Sequence, residues 1–143
     1  MPIELDHLIV PPLDRRASAH RLAQILDVPW AGEGVGPFSP VFVHDGLTLD
    51  FDQAEGEFAT LHFAFRLDEA EFDVLVARLQ SLGVAFRGRP HGENDGRIGS
   101  HLGGRLVYWN EPDGHVWEAL TVSYARRPAA SNDDRAPTGA ARS

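Results

Sequence analysis

Residues 108–121, YWNEPDGHVWEALT, combine a sharp turn, a β-type run and one carboxylate among apolar neighbours. Glu111-Pro112-Asp113-Gly114 is turn chemistry, with Pro presetting one φ and Gly free to take a positive one, so the flanking runs predict an antiparallel hairpin. Val116, Trp117, Ala119, Leu120 and Val122 then place Glu118 in a strand that reads as buried on both faces. A buried carboxylate with nothing opposite it is costly, so Glu118 requires a cation, a metal or good hydrogen-bond donors facing it.

The first half of the chain holds a near copy of this stretch. Residues 45–50 read DGLTLD and residues 113–118 read DGHVWE, so Asp50 stands where Glu118 stands. Upstream, residues 4–10, ELDHLIV, match residues 59–65, ATLHFAF, with His7 and His62 each fourth in its run. An early strand bearing a histidine and a late strand bearing an acid therefore occur twice. Two imidazoles and two carboxylates, one of each per half, form a metal-ligand inventory.

Composition narrows the chemistry. A chain of 143 residues with 43% hydrophobic and 9% aromatic residues suits one domain with a real core. A net charge of −8 argues against a nucleic-acid or anionic-membrane surface. Cysteine is absent, which removes disulfides, thiolate catalysis and Cys-based zinc sites, and every basic residue other than histidine is Arg, which removes Schiff-base chemistry and Walker-type phosphate loops. No apolar run is long enough to span a membrane and no leader-like segment opens the chain, so a cytoplasmic location is expected.

Taken in order, residues 3–10 predict a strand stopped by Pro11-Pro12, and Asp14 offers an N-cap for a helix over roughly 14–27. Residues 30–40 are rich in Gly and Pro. A hairpin is expected over 41–44 and 47–52 about Asp45-Gly46, with Thr48, Asp50 and Asp52 on one face and Leu47, Leu49 and Phe51 on the other. A strand at 59–66 precedes a second helix. Asp68 with Glu71 makes a capping-box pattern, Phe72, Leu75, Val76, Leu79 and Leu82 recur at helical spacing, and Gly83 supplies the stop. A short strand near 84–88 leads into a Gly-rich loop over 89–104. The histidine pair is offset by 55 residues and the acid pair by 68, so the second half is longer by 13, mostly in this loop, which is a candidate lid. His44, His91, His101 and His115 read as turn or loop residues and His20 as exposed. Residues 126–143 carry no pattern and are expected to be a disordered tail.

Each half is thus β-α-β-β-β. The tandem units, with their paired histidines and DG-x-x-x-acid signatures, resemble the vicinal oxygen chelate superfamily of glyoxalase I, fosfomycin-resistance thiol transferases, extradiol dioxygenases and bleomycin-resistance proteins. The resemblance covers residues 3–125 and implies an α+β fold in one domain over 1–125. Its units span 3–54 and 58–125, forming a cupped, partly closed mixed sheet with helices outside.

The resemblance further implies a divalent ion, Fe, Mn, Ni or Zn, on His7, His62 and Glu118, acting as Lewis acid toward the oxygens of a small substrate in a lyase, addition or ring-cleavage reaction. Asp50 is then either a fourth ligand or an off-metal general base. Tyr108 and Arg127, ten residues before and nine after Glu118, match an active-site Tyr and an anion-binding Arg of the fosfomycin-resistance enzymes. Those enzymes also carry a loop Lys, absent here, and a Thr where this chain has Ile9, which argues against fosfomycin as substrate. Arg66, Arg97, Arg105 and Arg127 are candidate anion-binding residues. The same resemblance implies a homodimer, in some members with units swapped between chains, and it allows a second class of function, metal-free sequestration of a drug or metabolite.

Overall fold

The computed structural model describes residues 2–125. Its elements run β1 His7–Val10, α1 Arg15–Leu26, β2 Phe38–His44, β3 Leu47–Asp52, β4 His62–Arg66, α2 Glu69–Ser81, β5 Leu106–Asn110 and β6 Val116–Leu120. The internal repeat is visible in the topology. One three-stranded sheet has the order β1-β3-β2 and the other β4-β6-β5, and in each the first strand pairs parallel with the last while the hairpin partner pairs antiparallel. These are two open, mixed sheets with helices, the α+β architecture expected.

The additional strand expected in each unit is reduced to a single bridge, Trp30 to Val41 in the first and Arg87 to Tyr108 in the second. In the second unit Gly88 explains the break. A Cβ there would come within 2.6 Å of the Gly99 backbone nitrogen, so the chain crosses itself where a regular strand would continue. Conversely, β2 begins at Phe38 and runs through Pro40, earlier than the expected residue 41. The Pro40 carbonyl accepts from the Ala31 amide, so its nitrogen faces the 29–31 segment and not β3, and the β2–β3 ladder loses no bond.

Both helices start where their side chains cap them. Asp14 accepts from the Ala17 amide and Asp68 from the Glu71 amide, with Glu71 reaching back to the Asp68 amide to complete a capping box. Gly83, at φ 72°, ends the second helix in the left-handed region. Period-two alternation then sorts the strands. Val10, Val41, Leu49 and Phe51 of the first sheet and Val107, Trp109, Trp117 and Ala119 of the second join Leu22, Ile25, Phe72, Leu75 and Leu79 of the helices in one buried cluster. Val122, expected to extend the last strand, lies beyond β6 and is 46% exposed.

His115 departs from its expected place in a solvated turn. It is fully buried, accepting from the Leu61 amide at Nδ1 (2.9 Å) and therefore donating from Nε2 to the Pro11 carbonyl (2.6 Å). A neutral imidazole thus ties the ends of β1, β4 and β6 together. The strand face turned away from the shared core is left to carry chemistry.

Candidate metal centre on the outer face of the second sheet

Strand parity decides which side chains meet. Trp117 and Ala119 face the helices, so Val116, Glu118 and Leu120 project from the opposite face of β6. Glu118 is in register with Ala64 on β4 and Tyr108 on β5. His62 sits one pleat along from Ala64 on the same face, and its Nε2 lies 2.9 Å from Glu118 Oε1. The carboxylate is fully buried, whereas the His62 side chain is 45% exposed. The pair therefore has one end in the protein and one end open.

Two tyrosines complete the cluster. The Tyr124 hydroxyl donates to the same Glu118 Oε1 at 2.9 Å, and the Tyr108 ring stands edge-on to His62 at 5.9 Å. Burial, with the Glu118 charge second, pushes the Tyr108 phenol well above its ordinary range, and burial with the same carboxylate raises Tyr124. Both phenols stay neutral and keep their protons at physiological pH. Tyr108 packs with Leu106 and Leu120, against which Leu102, Val116 and Tyr124 also lie, so the 89–104 loop comes down onto this face through Leu102. Tyr124 was missed by reading the sequence, since it lies past the end of β6 where periodicity stops. The only available signal was an aromatic with a polar tip six residues after the buried acid.

The matching residues of the first unit sit on the first sheet. His7, exposed, has its Nδ1 2.8 Å from Asp6 Oδ2, and Asp50 is half-buried on β3 in register with Ile9. Burial raises the Asp50 carboxyl while nearby His7 opposes the shift. Among the described residues no group of three or more His, Asp or Glu converges, so His62 and Glu118 come together without His7 or Asp50.

The arginines fare differently from one another. Arg105 is engaged by Glu69 (2.7 Å) and Asp73 (2.8 Å) and lies over the Phe72 ring, which fastens β5 to α2. Arg97 and Arg66 are exposed. Arg127, with the tail at 126–143, lies outside the described residues.

The residues present fit a divalent ion. Glu118 Oε2 is buried with no hydrogen-bond partner, a vacancy in the hydrogen-bonding of an otherwise satisfied group that a cation would fill. An imidazole and a carboxylate suit Fe, Mn, Ni or Zn alike.

No protein-family model and no curated protein matches the chain. Solved structures do. The chain is 35% identical to oxidase ChaP-H2, covering 87% of this chain and 97% of that one with a TM-score of 0.80. It is 39% identical to oxidase ChaP-H1, covering 86% and 98% with a TM-score of 0.79. A glyoxylase/bleomycin resistance protein/dioxygenase domain from Frankia sp. EAN1pec shares the fold at 20% identity, over 86% of this chain and all (100%) of that one, with a TM-score of 0.66. The match above 30% identity over most of both chains shows that the chain belongs to one family with the ChaP-H1 and ChaP-H2 oxidases, and its doubled β-α-β-β plan is the fold of the vicinal oxygen chelate superfamily of glyoxalases, bleomycin-resistance proteins and dioxygenases.

Proposed function

We propose that this chain is a metal-dependent oxidase acting on a small oxygen-bearing substrate, with His62 and Glu118 as ligands and a third ligand, His7, from a partner subunit. The observation that carries the reading is Glu118: fully buried, joined to His62, and left with one oxygen that has no hydrogen-bond partner among the described residues. Two structures above 30% identity bear the name oxidase, which favours oxidation over lyase or addition chemistry. Two histidines and one carboxylate with open positions are the ligand set of non-haem Fe(II) oxygenases, and zinc, which has no redox chemistry, fits the donors without fitting the reaction. When bound, the ion would supply Lewis acidity to substrate oxygens and electron transfer toward dioxygen.

The chain's own residues then have separable tasks. Tyr124 fixes the orientation of Glu118 through Oε1, leaving Oε2 directed to the ion. Tyr108, neutral and edge-on to His62, holds a proton beside the position a substrate oxygen takes. Leu102, Leu106, Val116 and Leu120 supply an apolar surround that keeps water from the reacting face. Asp50, half-buried and facing the same way as His7, serves as a fourth ligand or as a base in the assembled site.

The metal-free sequestering role leaves Glu118 Oε2 unaccounted for. Nitric oxide, a stand-in for dioxygen, separates the two. Protein loaded with Fe(II) under argon should give the electron paramagnetic resonance signal of an iron–nitrosyl complex, and Glu118→Ala should not. Iron that is retained but never binds nitric oxide would contradict an oxidase with open positions.

A further inference from the structure

Arg87 is the buried charge that the proposed metal centre does not use. It is 5% exposed, and its backbone exchanges two hydrogen bonds with Tyr108, 3.0 Å and 2.8 Å, so the two are directly opposed. Directly opposed residues share a face, which puts the Arg87 side chain on the same side of the sheet as Tyr108, Glu118 and His62. Phe86, its neighbour, packs into the core on the other side, as alternation requires.

The guanidinium has only neutral partners. Nη1 donates to Asn94 Oδ1 (2.8 Å) and Asn110 Oδ1 (2.7 Å), and Nη2 donates to the Pro90 carbonyl (2.8 Å). Nε is buried and has no hydrogen-bond partner among the described residues. A guanidinium carries five N–H donors and cannot shed its proton, so the two left over are Nε–H and the second Nη2–H. Nε and Nη2 border one edge of the planar group, the edge at which a guanidinium receives a carboxylate in two parallel hydrogen bonds. Buried charges are ordinarily met by opposite ones, and no carboxylate lies within ion-pair distance of Arg87 among the described residues.

Register gives the backbone separation between Asn110 and His62. His62 is opposite Val116 and Val116 is opposite Asn110, whose side chain holds the guanidinium. Two strand spacings, about 10 Å, therefore separate the His62 backbone from that of Asn110. The floor between them is apolar, with Val116 and Tyr108.

We infer that Arg87 is the specificity residue of the site, receiving a carboxylate of the substrate through Nε–H and Nη2–H while the reacting oxygens sit at His62 and Glu118. The substrate class is then an extended, largely apolar acid whose carboxylate and reacting oxygens sit on different strands of the sheet, the first beside Asn110 on β5 and the second beside His62 on β4 and Glu118 on β6. Pro90 and Asn94 belong to the loop over this face and Asn94 is exposed, so the guanidinium lies beneath that loop and a carboxylate would enter by displacing it. The inference deepens the oxidase reading and rests on it for the reacting end, yet the carboxylate end is testable without any metal.

Benzoate is the probe, titrated into metal-free, 15N-labelled full-length protein, with benzamide as its neutral counterpart and chloride at matched ionic strength. The Arg87 Nε–H resonance, assigned by its loss in Arg87→Lys, should shift saturably with benzoate and stay in place with benzamide and chloride. Arg105, already held by Glu69 and Asp73, should not respond. Asn94→Asp places a carboxylate beside Arg87 from within the chain and should weaken benzoate binding at least tenfold in a folded protein. The inference is overturned if the Arg87 resonance stays still, if chloride moves it equally, or if Asn94→Asp binds benzoate as the parent does. Because no metal is present, failure here leaves the His62–Glu118 reading standing, and loss of that reading leaves this result intact.

Discussion

Glu118 and Glu111 lie on the same hairpin and are both buried, yet their surroundings differ in kind. Glu118 holds His62 and Tyr124 on one oxygen and has no hydrogen-bond partner on the other among the described residues, whereas neither Glu111 oxygen has a close one. Burial pushes the Glu111 carboxyl upward and Asp113 adds to the shift, against partial opposition from Trp117, Ser18 and Arg21. A raised folded value means the folded state holds the proton more tightly than the unfolded one. Stability is thus full below the ordinary carboxylate range and is lost as pH rises through the raised folded value. Glu111→Gln keeps the shape and removes the titration. Its melting temperature should exceed that of the parent by roughly a few degrees at pH 7 and by much less at pH 4. An equal difference at both pH values, measured by thermal denaturation, would show that ionisation is not the cause.

Among elements, α2 is the one whose sequence and structure agree most closely. Its capping box, its apolar stripe from Phe72 to Leu79 and its terminating Gly83 are all local signals, and each is present in the fold. Asp68→Ala should therefore cost about 1 kcal/mol in urea denaturation with an unchanged slope. A cost near zero would mean that core contacts alone hold the helix start. The hairpins were legible for the same reason, since Asp45-Gly46 and Pro112-Asp113-Gly114 act over a few residues. Strand length was less so: β2 extends through Pro40 because the proline nitrogen faces away from β3, and the run at 84–88 breaks where Gly88 meets Gly99, both facts of tertiary placement. In the site, His62 and Glu118 were legible because they repeat. Tyr124, Arg87 and the structural His115 were not, because each acts on residues far along the chain or across the sheet, and no local pattern encodes that.

At the scale of the molecule, the ligand inventory is split between two outer faces, with His7 and Asp50 on the first sheet and His62 and Glu118 on the second. The four do not converge within the described residues of one chain, which is why the account draws His7 from a partner subunit. Complementation tests this. His7→Ala and Glu118→Ala each remove every site from their own homodimers, but a mixed dimer restores one site from the intact His7 of one chain and the intact Glu118 of the other. Unfolding and refolding the two variants together should restore about a quarter of the parent's metal content, and neither variant alone should recover any. No recovery on mixing, with dimers re-formed, would place all ligands in one chain.

The most direct test of the central claim is metal content by elemental analysis of untagged parent, His62→Ala and Glu118→Ala, each incubated with Fe(II) and Mn(II) under argon and freed of excess ion. One redox-active ion per chain is expected in the parent and at least a tenfold weaker hold in both variants, with circular dichroism unchanged. A parent that takes up neither ion, or a Glu118→Ala variant that holds as much as the parent, would contradict it.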